Sequence, residues 1–171
     1  MNRLPKIGLT VALIFIIVDQ AVKYFITVSL GLHNLSDARV LLPIFSLQFV
    51  ANHGVSLGLL RADSEMMRWG LVALTGAIAV GVLYWMFNEK NRQDQAALGM
   101  VLGGALGNII DRIRLGYVID YADLHFGTWQ PFLVFNLGDA FITMGVLVLL
   151  VRALLVRDKS RARASVENSN A

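Results

Sequence analysis

Residues 69–87 read WGLVALTGAIAVGVLYWMF, a run of apolar and small residues without one charged side chain. A helix needs roughly 20 apolar residues to cross the hydrocarbon core of a bilayer, and this run is that long. Working outward from it, three more runs of similar character stand out: about Ile7 to Val28, Ala96 to Ile113, and Leu133 to Val156. In lipid the backbone must satisfy its own hydrogen bonds, which favours helices over open strands. The composition agrees, because a soluble core of 171 residues could not bury a chain that is 56% hydrophobic. The sequence therefore predicts an all-α membrane protein of four transmembrane helices. Residues 1–157 form the membrane domain, and 158–171 form a basic, polar tail expected to be disordered.

An even number of spans places both termini on one side, and basic residues concentrate on the cytoplasmic side. Arg3, Lys6, Lys90, Arg92, Arg152, Arg157, Lys159, Arg161 and Arg163 fall near the termini and the second connection, whereas Arg39, Arg61, Arg68, Arg112 and Arg114 fall in or beside the other two. Both termini are expected in the cytoplasm. The first span is expected to be retained rather than cleaved as a signal peptide, since Asp19 interrupts it and no A-x-A-like site follows. The net charge of +3 then reflects topology and attraction to lipid headgroups. No basic stripe interleaved with aromatics suggests a nucleic-acid partner. The absence of cysteine excludes disulfides and thiolate metal sites.

The connection between the first two spans, about residues 31–68, is too patterned for a plain linker. In PIFSLQF (43–49), Phe45, Leu47 and Phe49 alternate with Ser46 and Gln48, the period of a half-buried strand. Downstream, a turn signal at Asn52–Gly54 leads into a stretch expected to form an interfacial amphipathic helix. The expectation is a small extracytoplasmic platform containing strands, with a sticky surface loop as the alternative. In the third span, Gly99, Gly103 and Gly107 recur every four residues, a ridge that lets another helix approach closely. The ridge continues to Asp111, so the same packing would carry that acid inside.

The predicted topology brings the polar residues to one depth. Asp19 and Lys23 lie in the outer half of the first span, one turn apart, where Lys23 would neutralise Asp19. Asn108, Asp111 and Arg112 end the third span, with Asp111 and Arg112 expected to pair. Asn136 and Asp139 begin the fourth, and Asp120 lies just before it. Ionisable groups in a membrane are costly, and a set from three helices meeting at one level reads as a site. His33, His53 and His125 show no metal-binding spacing, so neither metal nor cofactor is expected, and each suits a surface or interface role. Asp123 and His125 are expected at the interface. No nucleophile elbow, phosphate loop or dinucleotide fingerprint occurs. A Lys23 base with Ser29 or Ser56 is weaker than the salt-bridge role.

The remaining carboxylates are Asp120 and Asp139, separated by a segment that loops out and returns at nearly the same depth. Two neighbouring acids cannot both ionise cheaply, so one holds a proton while the other stays charged. That is the equipment of an aspartic protease: one carboxylate activates water and the other donates a hydrogen bond to the developing oxyanion. A small ion-coupled carrier is the alternative, because intramembrane acids also relay protons. Against it, the chain shows no internal repeat and its acids gather toward one surface. A scaffold joined through its glycine ridge would leave both aspartates without a role.

With VDQAVK (18–23), NHG (52–54), GGALGNIIDRIRLGYVIDY (103–121) and FNLGDAFI (135–142), the chain resembles the signal peptidase II family. The resemblance spans nearly the whole chain, apart from the tail. It implies a bacterial inner-membrane aspartyl endopeptidase that cleaves diacylglyceryl-modified prolipoproteins just before the lipidated cysteine. It also implies inhibition by the cyclic peptide globomycin. By motif, Asp120 and Asp139 correspond to the catalytic pair. Asp19, Lys23, Asn52, Gly54, Asn108, Arg112 and Asn136 match positions that frame the site, with Asn52, Arg112 and Asn136 near substrate. The implied partners are lipid-modified prolipoproteins and membrane lipids, with the enzyme acting as a monomer. Ser56 and Leu57 stand where the family has Ala-Phe, Tyr121 where it has Phe, and Gly138 where it has Ala. The first of these departures bears on substrate and inhibitor fit, since the Asn-x-Gly segment is expected to line the pocket, with the platform clamping the substrate.

Overall fold

The computed structural model describes residues 4–34, 37–54 and 65–169, with side chains as far as Leu155. The elements in chain order are α1 (Lys6–Tyr24, extended by a π-helical turn Phe25–Ser29), β1 (Ala38–Leu42), β2 (Phe45–Asn52), α2 (Glu65–Asn88), α3 (Arg92–Leu115), β3 (Val118–Leu124) and α4 (Leu137–Ser169). Four helices are long and apolar enough to cross a membrane, as the sequence predicts.

α3 is the central helix. Of its most apolar stretch 67% is buried, against 22%, 17% and 11% for α1, α2 and α4, whose exposed faces are the ones left for lipid. The glycine ridge explains how it can be central. A methyl at Gly103 would lie 2.7 Å from the Ala12 carbonyl oxygen, and one at Gly99 would overlap the Gly8 carbonyl. On the opposite side Gly104 faces the Gly138 carbonyl of α4, while a methyl at Gly145 of α4 would lie 2.6 Å from the Ala97 carbonyl. Backbones this close gain dispersion contacts that larger side chains would prevent. Ala12, Ala79, Met86, Leu98, Leu102 and Ile109 form the core of the bundle.

The helix ends are set locally. Asn91 caps α3, its side chain accepting from the N–H groups of Gln93 and Asp94. Gly116, at φ +88°, ends it in the left-handed conformation and donates to the Arg112 carbonyl at 3.1 Å. α4 starts at Leu137, four residues after the predicted start, because Leu133–Phe135 is extended: Phe135 bridges Ala122 of β3. At its far end α4 continues as helix to Ser169, where the sequence suggested an irregular tail. Residues 158–169 contain neither proline nor glycine, so nothing local stops the helix.

The three strands form an antiparallel sheet in the order β1-β2-β3. It lies across the bundle end reached by the C-terminus of α1: Leu47 and Phe49 of β2 and Ile119, Tyr121 and Ala122 of β3 pack with Ile26 and Leu32. Phe45, at the other end of β2, joins the same cluster, as do Phe135 and Leu137. The strand expected over PIFSLQF is present, but the alternation is incomplete. Ser46 is buried because its hydroxyl donates to Asp123 at 3.1 Å. The expected interfacial helix falls largely on 55–64, outside the described residues.

Candidate active site

Asp120 sits in β3 opposite Val50 and is buried. Asp139 lies in the first turn of α4, which is organised as a reciprocal cap. The Asp139 N–H donates to Asn136 Oδ1 at 3.0 Å, and the Asn136 N–H donates back to Asp139 Oδ2 at 3.3 Å. Asn136 also donates through Nδ2 to Asp120 Oδ1 at 2.5 Å. One asparagine thus ties a strand carboxylate to a helix-start carboxylate.

Two more asparagines complete the grip. Asn52 Nδ2 donates to Asp120 Oδ2 at 2.9 Å, and Asn108 Nδ2 donates to Asp139 Oδ1 at 2.8 Å. In each case something else engages the amide oxygen: the Gly54 N–H at 3.0 Å for Asn52, the Lys23 ammonium at 3.0 Å for Asn108, and the Asp139 N–H for Asn136. An amide whose oxygen is occupied by a donor must present its NH2 on the other side. The three amides are therefore locked with their donors toward the carboxylates.

Lys23 belongs to a buried ionic group beneath the pair. Its Nζ lies 2.8 Å from both Asp19 Oδ2 and Asp111 Oδ2. Asp19 Oδ1 accepts from the Gly138 N–H at 2.9 Å, and Asp111 accepts from Gln20 Nε2 at 2.9 Å and the Ile119 N–H at 3.3 Å. α1, α3, β3 and the start of α4 are joined through this group. It bears out the Asp19–Lys23 pairing and the inward turn of Asp111, and it leaves Lys23 committed to carboxylates and an amide.

Burial pushes the Asp120 carboxyl up to about 7, and the charge of Asp139 adds to that. Hydrogen bonds from Asn52 and Asn136 and the charge of Lys23 oppose the rise. Burial and the neighbouring charge together favour the protonated form of Asp120.

One expectation needs correction. Asp111 pairs with Lys23 rather than Arg112, whose Nη2 donates to the Gly54 carbonyl at 3.1 Å. Adjacent residues on a helix point about 100° apart, so one reaches α1 while the other reaches the Asn-x-Gly segment. Arg112 Nε is buried and has no hydrogen-bond partner among the described residues. Asp123 is buried, held by Ser46 and Gln130 and facing His125 Nδ1 at 3.3 Å. Both His125 and Gln130 come from the segment that follows β3. Of the other histidines, His53 lies beside Tyr117 and His33 uses its backbone N–H on Asp37. Among the described residues no three His, Asp or Glu side chains converge as a metal site requires.

Gln20 was not singled out by the sequence, and Tyr121 was noted only as a departure from the family's Phe. Gln20 braces Asp111, and the Tyr121 hydroxyl accepts the Leu137 N–H at 3.2 Å, one of the free donors of the α4 start. Both lie inside the quoted motifs, next to an aspartate, and that adjacency was the available signal.

The family model for signal peptidase (SPase) II matches residues 11–155. Among curated proteins, the lipoprotein signal peptidase of Rhizorhabdus wittichii is 51% identical over 155 residues, covering 89% of this chain and 88% of that one. The lipoprotein signal peptidase of Sphingopyxis alaskensis is 44% identical, covering 91% and 89%, and that of Symbiobacterium thermophilum 34%, covering 91% and 99%. Two solved structures, each described as a bacterial membrane enzyme determined by the in meso method, are 26% and 27% identical. They superpose with TM-scores of 0.74 and 0.72, the first covering 90% of both chains and the second 86% of this chain and 92% of its own. With four membrane-spanning helices and a match over nearly its whole length, this chain belongs to the signal peptidase II family, the multi-pass membrane peptidases of bacteria that cleave signal peptides from prolipoproteins.

Proposed function

We propose that Asp120 and Asp139 are the catalytic pair and that the scissile bond is the one immediately before a diacylglyceryl-modified cysteine. The observation that supports this most is the set of locked asparagines, which aims side-chain donors at both carboxylates at the buried junction of strand and helix. Among the described residues neither aspartate forms a salt bridge, and the buried lysine pairs with Asp19 and Asp111.

In this mechanism the charged aspartate takes a proton from water as its oxygen attacks the peptide carbonyl carbon. The protonated aspartate donates to the carbonyl oxygen, giving a tetrahedral intermediate. Collapse re-forms the carbonyl and breaks the C–N bond, and a proton passes to the departing nitrogen. Arg112 Nε is a buried donor available to a substrate carbonyl. A lipidated cysteine is held by its acyl chains at the membrane surface, the level at which β3 and the α4 start meet. Both termini lie in the cytoplasm and the platform lies outside, supported by the distribution of lysine and arginine.

The test is cleavage of a diacylglyceryl-prolipoprotein in detergent by the parent, Asp120→Asn and Asp139→Asn, with and without a chelator. Each variant should lose on the order of 10³-fold or more in kcat while remaining folded, and chelation should change nothing. Retained cleavage by either folded variant removes the pair from the mechanism. For the carrier reading, ion flux through proteoliposomes that disappears in the same variants would be the supporting result.

A further inference from the structure

One end of the sheet is apolar where a water-facing platform should be polar. The turn joining β1 and β2 exposes Leu42 and Ile44, and the segment after β3 exposes Phe126, Trp129, Phe132 and Leu133, each 43–64% accessible. The two segments are neighbours: the His125 N–H donates to the Ile44 carbonyl at 3.0 Å, and Phe45 pairs with Leu124. Phe126 and Trp129 are held together by reciprocal backbone bonds of 2.8 and 3.2 Å around Gly127 at φ +64°. Their rings lie 5.7 Å apart. An ordered aromatic pair in a tight turn is a built feature rather than a stray exposed side chain.

We infer that this sheet end is a foot, inserted among the acyl chains of the membrane leaflet on the platform side. Three observations favour lipid as the occupant. The sheet lies along the bundle end, with Phe45, Leu47, Phe49 and Ala51 from one face of β2 packed on the cluster around Ile26 and Leu32. Its tip therefore projects sideways, toward the lipid that surrounds the helices. Neither 40–44 nor 126–133, the exposed part of this end, contains a charged residue, which would be unusual for 13 positions in water. The patch is also continuous with the membrane span, since Leu133 precedes the start of α4 by four residues. Aromatic rings flanking a span favour the interface, where an apolar body and polar surroundings are both available. The foot would hold the β3 end of the platform at fixed depth, and with it Asp120.

The chain has three tryptophans, so Trp69→Phe with Trp85→Phe leaves Trp129 as the only reporter. In nanodiscs holding one copy and no substrate, phosphatidylcholine brominated high on its chains should quench Trp129 emission at least twofold, while aqueous iodide quenches it only slightly. Full iodide quenching with no effect of brominated lipid overturns the proposal. So does shielding that appears only with several copies per disc, or only after prolipoprotein is added, since the occupant is then a second chain or the substrate. If the double variant does not fold, the difference in quenching between the parent and Trp129→Phe gives the same reading.

Discussion

Lys23→Met separates a framework role for the lysine from a chemical one. The ammonium is 2% exposed and lies 2.8 Å from two carboxylates, so the group Lys23, Asp19 and Asp111 carries one net negative charge when all three are ionised. Methionine fills nearly the same volume without charge, leaving two buried carboxylates facing each other. Removing one partner of a buried ion pair typically costs about 3–5 kcal/mol, chiefly because the remaining charge has lost both its counterion and its water. The surviving donors, Gln20 and the N–H groups of Gly138 and Ile119, keep the cost within that range. For a chain of this size each kcal/mol corresponds to roughly 2–4 °C in Tm, so a fall of about 10 °C in detergent is expected.

The triple variant Lys23→Met, Asp19→Asn, Asp111→Asn should recover most of that loss, since neutral replacement of a whole buried ionic group is often close to neutral in stability. Activity should recover only in part, because the Asn108 oxygen has lost the ammonium that fixes its orientation. The assay is a thermal melt of each purified variant alongside its cleavage rate. A Lys23→Met protein with parental Tm and no activity would refute the framework assignment and return the lysine to the chemistry.

Asp120→Asn should change the pH dependence of stability. The folded carboxyl titrates near 7 and the unfolded one near 3.8; the folded state holds the extra proton between these values, so parental stability falls as pH rises through that window. Relative to the variant, the parent should lose roughly 4 kcal/mol between pH 4 and 8, and equal pH slopes would contradict the raised value. Asn52→Ala removes a donor to Asp120 and leaves the Gly54 N–H without its acceptor; kcat should fall about 10–100-fold with Tm little changed, measured by cleavage kinetics. Gly103→Ala should lower Tm by several degrees, because its methyl meets the Ala12 carbonyl and overpacking costs about 1–3 kcal/mol. An unchanged melt would show that α1 and α3 separate easily.

The spans were legible because lipid demands long apolar runs, and the acids were conspicuous because such runs exclude charge. The start of α4 was not, since Leu133–Phe135 is as apolar as the helix it precedes. Composition cannot separate a strand-like approach from a span. The motif NLGD held the missing information: an asparagine followed three residues later by an acid has the form of a capping box, which places the helix start at Leu137. The burial of Asp123 was not legible either, because it depends on β2 and the segment after β3 closing around it. That long-range closure leaves no periodic trace.

The ridge of Gly99, Gly103 and Gly107 and the acid Asp111 occupy one face of α3, and the reason is mechanical. A methyl at Gly107 would overlap the Asp19 carboxylate, so the last glycine of the ridge makes room for an acid where its neighbours make room for backbone. One turn later Asp111 reaches the same lysine. Close packing of α1 on α3 thus continues directly into an ionic contact, and α1 cannot slide along α3 without breaking it. That lysine sets the Asn108 amide, and the amide reaches Asp139, so small-residue packing deep in the bundle is transmitted through a single hydrogen-bonded chain to a carboxylate at its end. The polar groups in this membrane protein therefore continue its packing, and their cost of burial is offset by mutual pairing rather than by exposure to water.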